Sequence, residues 1–558
     1  MSEVVLDGES LTPEDVAAVA RDGATVAIAD EAREAVRQSR ERVEDVLDSG
    51  ETVYGINTGF GELVDQRIPP EDVEQLQTNL VRSHAAGAGR ELDREEVRAM
   101  MLTRINALVK GYSGIREVVV DHLLTMLNEG IHPVVKSRGS LGASGDLAPL
   151  AHMALVLIGE GEARVESRST DGSSGQRPRD DGGSTDRLAG DAALATADLD
   201  PLTLRAKEGL ALINGTQLTV GLAALAVVDA ERAVRAADAA GALTTEVTLA
   251  TTAACDDAIQ AVRPHRGQRV SARNVKRLTE GSEIVESHRN CDRVQDAYSI
   301  RCLPQVHGAV RDAATHLREA VETELNSATD NPLVFPPHAV DDRASGTDRA
   351  AVLSGGNFHG EPLALRLDYL TSAVTELAAI SERRVDRMLN PNLQEPHLPP
   401  FLAPDSGLQS GYMIAQYTAA ALLNENRAIG RPSTDNTPVS GGQEDHVSMS
   451  GQSALDARRA VENATRVVAT ELLCGAQAAE FVTPEAVRAA TPGVDPDEVD
   501  ADGDGDLSHG DGTARVYEAV REVVTPLSGD RPVHEDVELV DAVVASGTLD
   551  VALGDLVE

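Results

Sequence analysis

The sequence predicts a mostly α-helical protein, on three observations. Long runs rich in Ala, Leu, Val, Arg and Glu occupy roughly residues 305–327, 363–389 and 452–480. No stretch sustains the apolar–polar alternation of a half-buried strand, so strands should be few and short. Start and stop signals for helices recur along the chain. Long helices with small apolar faces pack closely with each other or with copies of themselves.

The first helix start is Thr12-Pro13-Glu14-Asp15. It combines a capping hydroxyl, a proline at the first helical position and acids facing the positive end of the helix dipole. Asp30 opens a second helix, whose apolar positions Ala32, Val36, Val43, Val46 and Leu47 keep helical spacing, and Gly50 follows as its stop. The most apolar stretch, Leu218–Val228 (LTVGLAALAVV), falls short of the ~20 residues of a membrane span and reads as a buried helix.

Three segments interrupt the helical pattern. Residues 167–187 are rich in Ser, Gly and Asp and read as a surface excursion, and residues 337–350 as a smaller one. Residues 495–512 set Asp500, Asp502, Asp504 and Gly505 like the opening of a calcium loop, but Asp511 stands where a bidentate Glu belongs. The expectation there is a solvated acidic loop and no metal.

Charge narrows the range of partners. The net charge is −41, aromatics make up 2% of the chain, and lysine is confined to Lys110, Lys136, Lys207 and Lys276. Such a surface repels nucleic acid and anionic membranes, so neither is an expected partner. The acids are dispersed rather than blocked, which suits a protein solvated in a salt-rich cytoplasm. Cys255, Cys291, Cys302 and Cys474 show no C-x-x-C spacing, which argues against a zinc site or a disulfide framework and fits a reducing compartment. The opening MSEVVLDGES has no basic segment followed by an apolar one and does not read as a secretory signal.

Several catalytic signatures are absent. Gly142-Ala143-Ser144-Gly145-Asp146 is one residue off the G-x-S-x-G elbow of serine hydrolases. Gly59-Phe60-Gly61 and Gly159-Glu160-Gly161 lack the third glycine of a dinucleotide loop, and there is no G-x-x-x-x-G-K-[ST].

What remains is the triplet Ala143-Ser144-Gly145 inside GSLGASGDLAPLAHM (139–153). In a sharply compressed backbone the amide nitrogen of Gly145 can attack the carbonyl carbon of Ala143, a bend that glycine permits because it lacks a Cβ. Loss of water closes a five-membered imidazolone, and loss of a second water from the Ser144 side chain leaves an exocyclic methylidene. The product, methylidene-imidazolone (MIO), is a strong electrophile. Most Ala-Ser-Gly triplets are plain turns, so the neighbouring sequence decides.

The stretch GSLGASGDLAPLAHMALVLIGEG resembles the signature of the aromatic amino acid ammonia-lyases, in which this triplet becomes MIO. Further blocks agree in order: YGINTGFG (54–61), NLVRSHAAG (79–87), EGLALINGTQ (208–217), QDAYSIRC (295–302), TDNPLVF (329–335), SGGNFHGEP (354–362) and QEDHVSM (443–449). Within the family, the branch acting on histidine is the nearest. The resemblance implies a long-helix bundle of the fumarase/aspartase-like type with an N-terminal MIO-bearing domain. It also implies no external cofactor, and homotetramers whose active sites draw on several subunits. Regions of 1–206 with the MIO loop, 207–480 with the long helices and 481–558 with the C-terminal helices and acidic loop are expected.

The implied reaction takes L-histidine to trans-urocanate and ammonia, the first step of histidine degradation. MIO would activate the amine for departure by bonding the substrate, through its amino group or alternatively its ring. A base must then reach the weakly acidic β-proton. Tyr54 resembles that base, although a phenol of ordinary pKa near ~10 needs help to ionise; Glu444 has a rival claim. His84 and Glu444 resemble the residues that receive the imidazole, whose N–H would cost ~1–3 kcal/mol if buried unpaired. Arg301 resembles the group that grips the substrate carboxylate with its two-pronged donor array. Asn214, Gln295, Tyr298, Asn331 and Phe335 resemble residues that line the pocket or support MIO. For Asp146 two readings stand side by side, positioning the loop or capping the next helix. Two other functions remain open: an ammonia-lyase or aminomutase for another aromatic amino acid, and a non-catalytic helical scaffold.

Overall fold

The computed structural model describes residues 3–58, 68–166, 185–289, 293–341, 345–490 and 507–558. Gly59-Phe60-Gly61, nearly all of the 167–187 excursion, Cys291, residues 342–344 of the smaller excursion, and Asp500, Asp502, Asp504 and Gly505 lie outside the described residues.

Local signals set the helix ends. Thr12 and Asp15 form a reciprocal capping box ahead of the helix Pro13–Ala20, with Pro13 first. The helix Asp30–Ser49 stops at Gly50, which takes φ +72° in the left-handed region. The three long runs are helices Leu303–Leu325, Glu361–Leu389 and Ser450–Ala479. The apolar stretch 218–228 opens a fourth, Gln217–Val247, which continues through an Ala-rich sequence. Strands are short, none exceeding five residues among those described.

The chain forms two compact units, each built from separated segments. The first comprises Met1–Val228, Leu317–Asp368 and Arg431–Arg458; the second Asp229–His316, Tyr369–Gly430 and Arg459–Glu558. This division differs from consecutive regions ending at 206 and 480, for a geometric reason. A helix of about 30 residues is about 45 Å long, and four of the five divisions, after Val228, His316, Asp368 and Arg458, fall inside the four long helices, while the fifth, after Gly430, follows the helix Met413–Ala428.

The first unit carries the described strands. Ile131–Pro133, Glu162–Glu166 and Thr185–Ala189 form an antiparallel sheet, and Leu333–Phe335, Ala351–Leu353 and Ser345–Gly346 form another. A core cluster of Val43, Val46, Val53, Ile56, Val73, Val334 and Val352 anchors the segment on either side of Tyr54. The helix Arg94–Val109 is buried on every face from Glu96 onward.

The second unit's named elements are all helices among its described residues. Buried side chains on its four long-helix segments form one polar network. His307 Nδ1 meets Asp238 at 2.7 Å, Arg384 pairs with Glu471 at 2.5 Å, and Thr244 Oγ1 donates to Glu471 at 2.8 Å. Each buried charge is paired, as burial demands. Cys255 is buried with its thiol pushed up to about 12, and neither it, Cys302 nor Cys474 is in a disulfide. Among the described residues no helix is long and apolar enough to cross a membrane, and no group of His, Cys, Asp or Glu could hold a metal ion.

Candidate active site

The 140–146 loop is held from several sides, all within the first unit. Gly142 O accepts from Ser448 Oγ at 2.9 Å and from Gly360 N at 3.0 Å, and Met449 N donates to Leu141 O at 2.7 Å. Gly145 forms a parallel bridge with Gly215, whose carbonyl accepts from Asp146 N at 2.7 Å. Gly145 takes φ +76°, and any Cβ there would run into the Gly215 carbonyl. Only glycine fits this bend.

The Asp146 carboxylate resolves its two readings. It makes no capping bond to the helix Leu147–Leu157 that follows. It accepts instead from Thr219 N at 2.8 Å, Thr219 Oγ1 at 3.1 Å and Ser140 Oγ at 2.7 Å, tying both sides of the loop to the start of a long helix. Burial pushes this carboxyl above the usual carboxylate range, against the opposing pull of those hydrogen bonds and of Arg104.

Two further contacts point at the chemistry. Asn214 Nδ2 donates to Ser144 O at 2.8 Å, leaving Asn214 Oδ1 buried without a partner among the described residues. Ser144 Oγ donates to Glu444 Oε1 at 2.8 Å. Glu444 follows a tight turn in which Ser440 and Gly441 both have positive φ, and Val439 N donates back to Glu444 O at 3.0 Å.

Around the loop opens a cavity of about 1260 Å³. Tyr54, His84, Ala143, Ser144, Asn214, Asn331 and Glu444 all line it, although they come from distant stretches of chain. His84 ends the helix Val73–His84, and its Nδ1 lies 2.8 Å from Leu80 O. A carbonyl only accepts, so in the neutral ring Nδ1 carries the proton and Nε2 keeps its lone pair as an acceptor. Asn331 braces the wall, donating to Ser354 Oγ at 2.9 Å and accepting from Gly355 N at 2.7 Å.

Other sequence-selected residues lie elsewhere. Phe335 ends a strand and packs on Tyr112, with ring centroids 5.2 Å apart, and is not among the lining residues. The phenylalanine among the described lining residues is Phe358, from the quoted SGGNFHGEP block but not singled out there. His359 and His446 also line the cavity and stack in parallel, 5.7 Å between centroids. Gln295, Tyr298 and Arg301 belong to the second unit. All three are exposed, Tyr298 by 73%, and the Arg301 guanidinium has no hydrogen-bond or ion-pair partner among the described residues.

Among the described residues the lining carries the carboxylates of Glu361, Glu444 and Asp445 but no Lys or Arg. The described lining can thus accept N–H donors but includes no Lys or Arg to meet a carboxylate.

The glycine bend, the amide on Ser144 O and the carboxylate on its hydroxyl fix Ala143-Ser144-Gly145 at the cavity wall of a mostly helical protein. The chain matches the aromatic amino acid lyase family over residues 11–522 and belongs to that family. It is 62% identical over 550 residues to a probable histidine ammonia-lyase of Halobacterium salinarum, covering 99% of this chain and 97% of the relative. The crystal structure of histidine ammonia-lyase from Trypanosoma cruzi superposes with a TM-score of 0.85 at 38% identity, over 100% of this chain and 96% of that one. A tyrosine aminomutase from Streptomyces globisporus superposes with a TM-score of 0.84 at 36% identity, over 100% and 99%. The fold is therefore shared between reactions, and the lining must select among them.

Proposed function

We propose that this enzyme deaminates L-histidine to trans-urocanate and ammonia, with Ala143-Ser144-Gly145 as the source of its electrophile. The observation that carries the reading is the cavity in which this loop faces His84 and Glu444. An imidazole carries one N–H donor and one acceptor nitrogen when neutral. His84 Nε2 and the Glu444 carboxylate are both acceptors: either can receive the N–H of a neutral ring and both together the two N–H groups of an imidazolium, whereas a phenylalanine ring offers them no donor. Similarity to histidine ammonia-lyases over nearly the whole chain supports the same choice.

The residues present fit an MIO group: a bend closed to any Cβ at 145, an amide donor on Ser144 O and an orphaned Asn214 Oδ1 beside it. Once formed, MIO supplies the electrophile that makes the substrate amine able to leave. Asn214 Oδ1 is then an acceptor for an amine N–H. Tyr54 and Glu444 line the same wall, and one of them takes the β-proton. The substrate carboxylate needs a cation, and the described lining includes no Lys or Arg. Arg301, exposed on a short turn with Tyr298 and with no side-chain partner among the described residues, supplies it from another copy in a homotetramer with shared sites. Such assembly covers Tyr298 and Gln295 as well. A salt-rich cytoplasm is the setting that a net charge of −41 fits.

The test is near-ultraviolet absorbance after mixing the purified protein, in high salt, with L-histidine, L-phenylalanine or L-tyrosine. Urocanate from histidine alone is expected. Product from another amino acid would discard the roles of His84 and Glu444, and silence with all three from folded protein would discard the enzymatic reading.

A further inference from the structure

We propose that Arg104 is a positioning residue for formation of the electrophile: its guanidinium holds the Ala211–Gln217 segment that clamps the Ala143-Ser144-Gly145 loop in its compressed form. The inference rests on the proposed reading that this loop cyclises.

Arg104 lies inside the buried helix Arg94–Val109 and is 1% exposed, yet no carboxylate accepts a hydrogen bond from it among the described residues. Burial lowers its pKa to about 10, so it remains a cation at neutral pH, with Asp330 and Asp146 attracting it without contact. A guanidinium placed so deep without an ion pair is costly, and its partners account for the placement. Nη1 donates to Ala211 O at 2.8 Å, and Nη2 donates to Asn214 O at 2.8 Å and to Gln217 Oε1. Ala211 and Asn214 stand at the carboxyl end of the helix Glu208–Ile213, where carbonyls lack helical partners and the dipole favours a cation.

The same segment presses on the reactive loop from its other side. Gly215 takes φ +135°, and a Cβ there would lie 2.6 Å from Arg104 Nη2 and 2.5 Å from Gln217 Oε1, so the guanidinium packs directly on this glycine. Gly215 O receives Asp146 N, Gly215 bridges Gly145, and the Asn214 amide reaches Ser144 O. Gln217 is itself fixed, its Nε2 donating to Thr329 Oγ1 at 2.7 Å. One fork thus sets the position of the two residues that touch the loop.

The chemistry is sensitive to that position. Gly145 N bonds to the Ala143 carbonyl carbon, and the carbonyl oxygen leaves as water with the amide protons of Gly145 and Ser144. The Ser144 hydroxyl then leaves as a second water with the Ser144 α-proton, and no oxidant is needed. A misplacement of about 1 Å in such a ring closure can cost ~10²-fold in rate. Lysine would keep the charge but could not span two carbonyls with a rigid fork.

The test follows intact mass during cell-free synthesis in high salt, for the wild-type chain, Arg104→Lys and Arg104→Met. The wild-type chain should become two waters lighter. Arg104→Met, shown folded by circular dichroism and a cooperative unfolding transition, should do so at least about tenfold more slowly, with Arg104→Lys between them. In each preparation kcat should follow the fraction of dehydrated chain while KM for L-histidine stays constant. Dehydration of a folded variant at the wild-type rate would overturn the role of Arg104. If Arg104→Met does not fold, the Arg104→Lys time course decides. A wild-type chain that keeps its encoded mass would instead overturn the electrophile on which the inference rests.

Discussion

Ser144 and Glu444 are 300 positions apart in the chain, and the serine hydroxyl donates to the carboxylate at 2.8 Å. The acid proposed to receive the imidazole therefore already touches the side chain that must leave as water when the electrophile forms. Glu444→Gln keeps the shape but removes the charge and basicity. It should lower kcat by about 10²–10⁴-fold while the chain still becomes two waters lighter. Tyr54→Phe measured beside it assigns the base: the variant that binds L-histidine but no longer exchanges its β-hydrogen with solvent has lost that group.

Gly145→Ala places a Cβ against the Gly215 carbonyl in a left-handed conformation. The loop must open to accept it, and Asp146 N loses its bond to Gly215 O. The expected product is a folded chain of encoded mass with no urocanate formation, checked by mass spectrometry and absorbance on one sample.

A pH dependence follows from Glu95. Burial opposes its charge, but Arg458 and Arg21 outweigh burial and hold the carboxyl at about 2, below its ordinary 4.5. Arg21 Nε donates to it at 2.6 Å and Arg458 pairs with it as well. A lowered folded-state pKa contributes stability that is fully present above about 4.5 and is lost as pH falls toward about 2. Glu95→Gln should cost roughly 1–3 kcal/mol at neutral pH, with the difference shrinking below about pH 4.5. Denaturant midpoints of both proteins across this range give the measurement.

If Arg301 serves a site in another copy, Arg301→Ala should raise KM for L-histidine by about 10–100-fold, the loss of one charge-assisted contact. Mixed assemblies made by co-expressing Arg301→Ala with Ser144→Ala should then recover part of the wild-type activity. Activity no higher than the sum of the separate variants would place both residues in sites built from one chain.

The sequence made the helices legible wherever their signals are local. Thr12 with Pro13, and Gly50 after the second helix, mark ends that depend on one hydrogen bond or one backbone angle. The Ala143-Ser144-Gly145 triplet stood out because the cyclisation proposed for it is local too. What escaped depends on tertiary packing. The 218–228 run gave no hint that its helix reaches Val247, because Ala-rich sequence beyond it lacks a strong apolar face. Phe335 and Phe358 sit in neighbouring blocks, and only the fold puts one on Tyr112 and the other in the cavity wall. Arg104 was invisible for the same reason. Its partners are backbone carbonyls, which any sequence supplies, and no motif marks which arginine will reach them.

Trypsin cleaves after Arg138 and Arg164, releasing the reactive loop as a single peptide, residues 139–164. Its mass, taken from protein that converts L-histidine to urocanate, tests the central claim most directly. A peptide two waters lighter than its encoded mass, and unchanged mass in the Ser144→Ala variant, is the predicted result. Encoded mass in the active protein would contradict an electrophile made from Ala143-Ser144-Gly145.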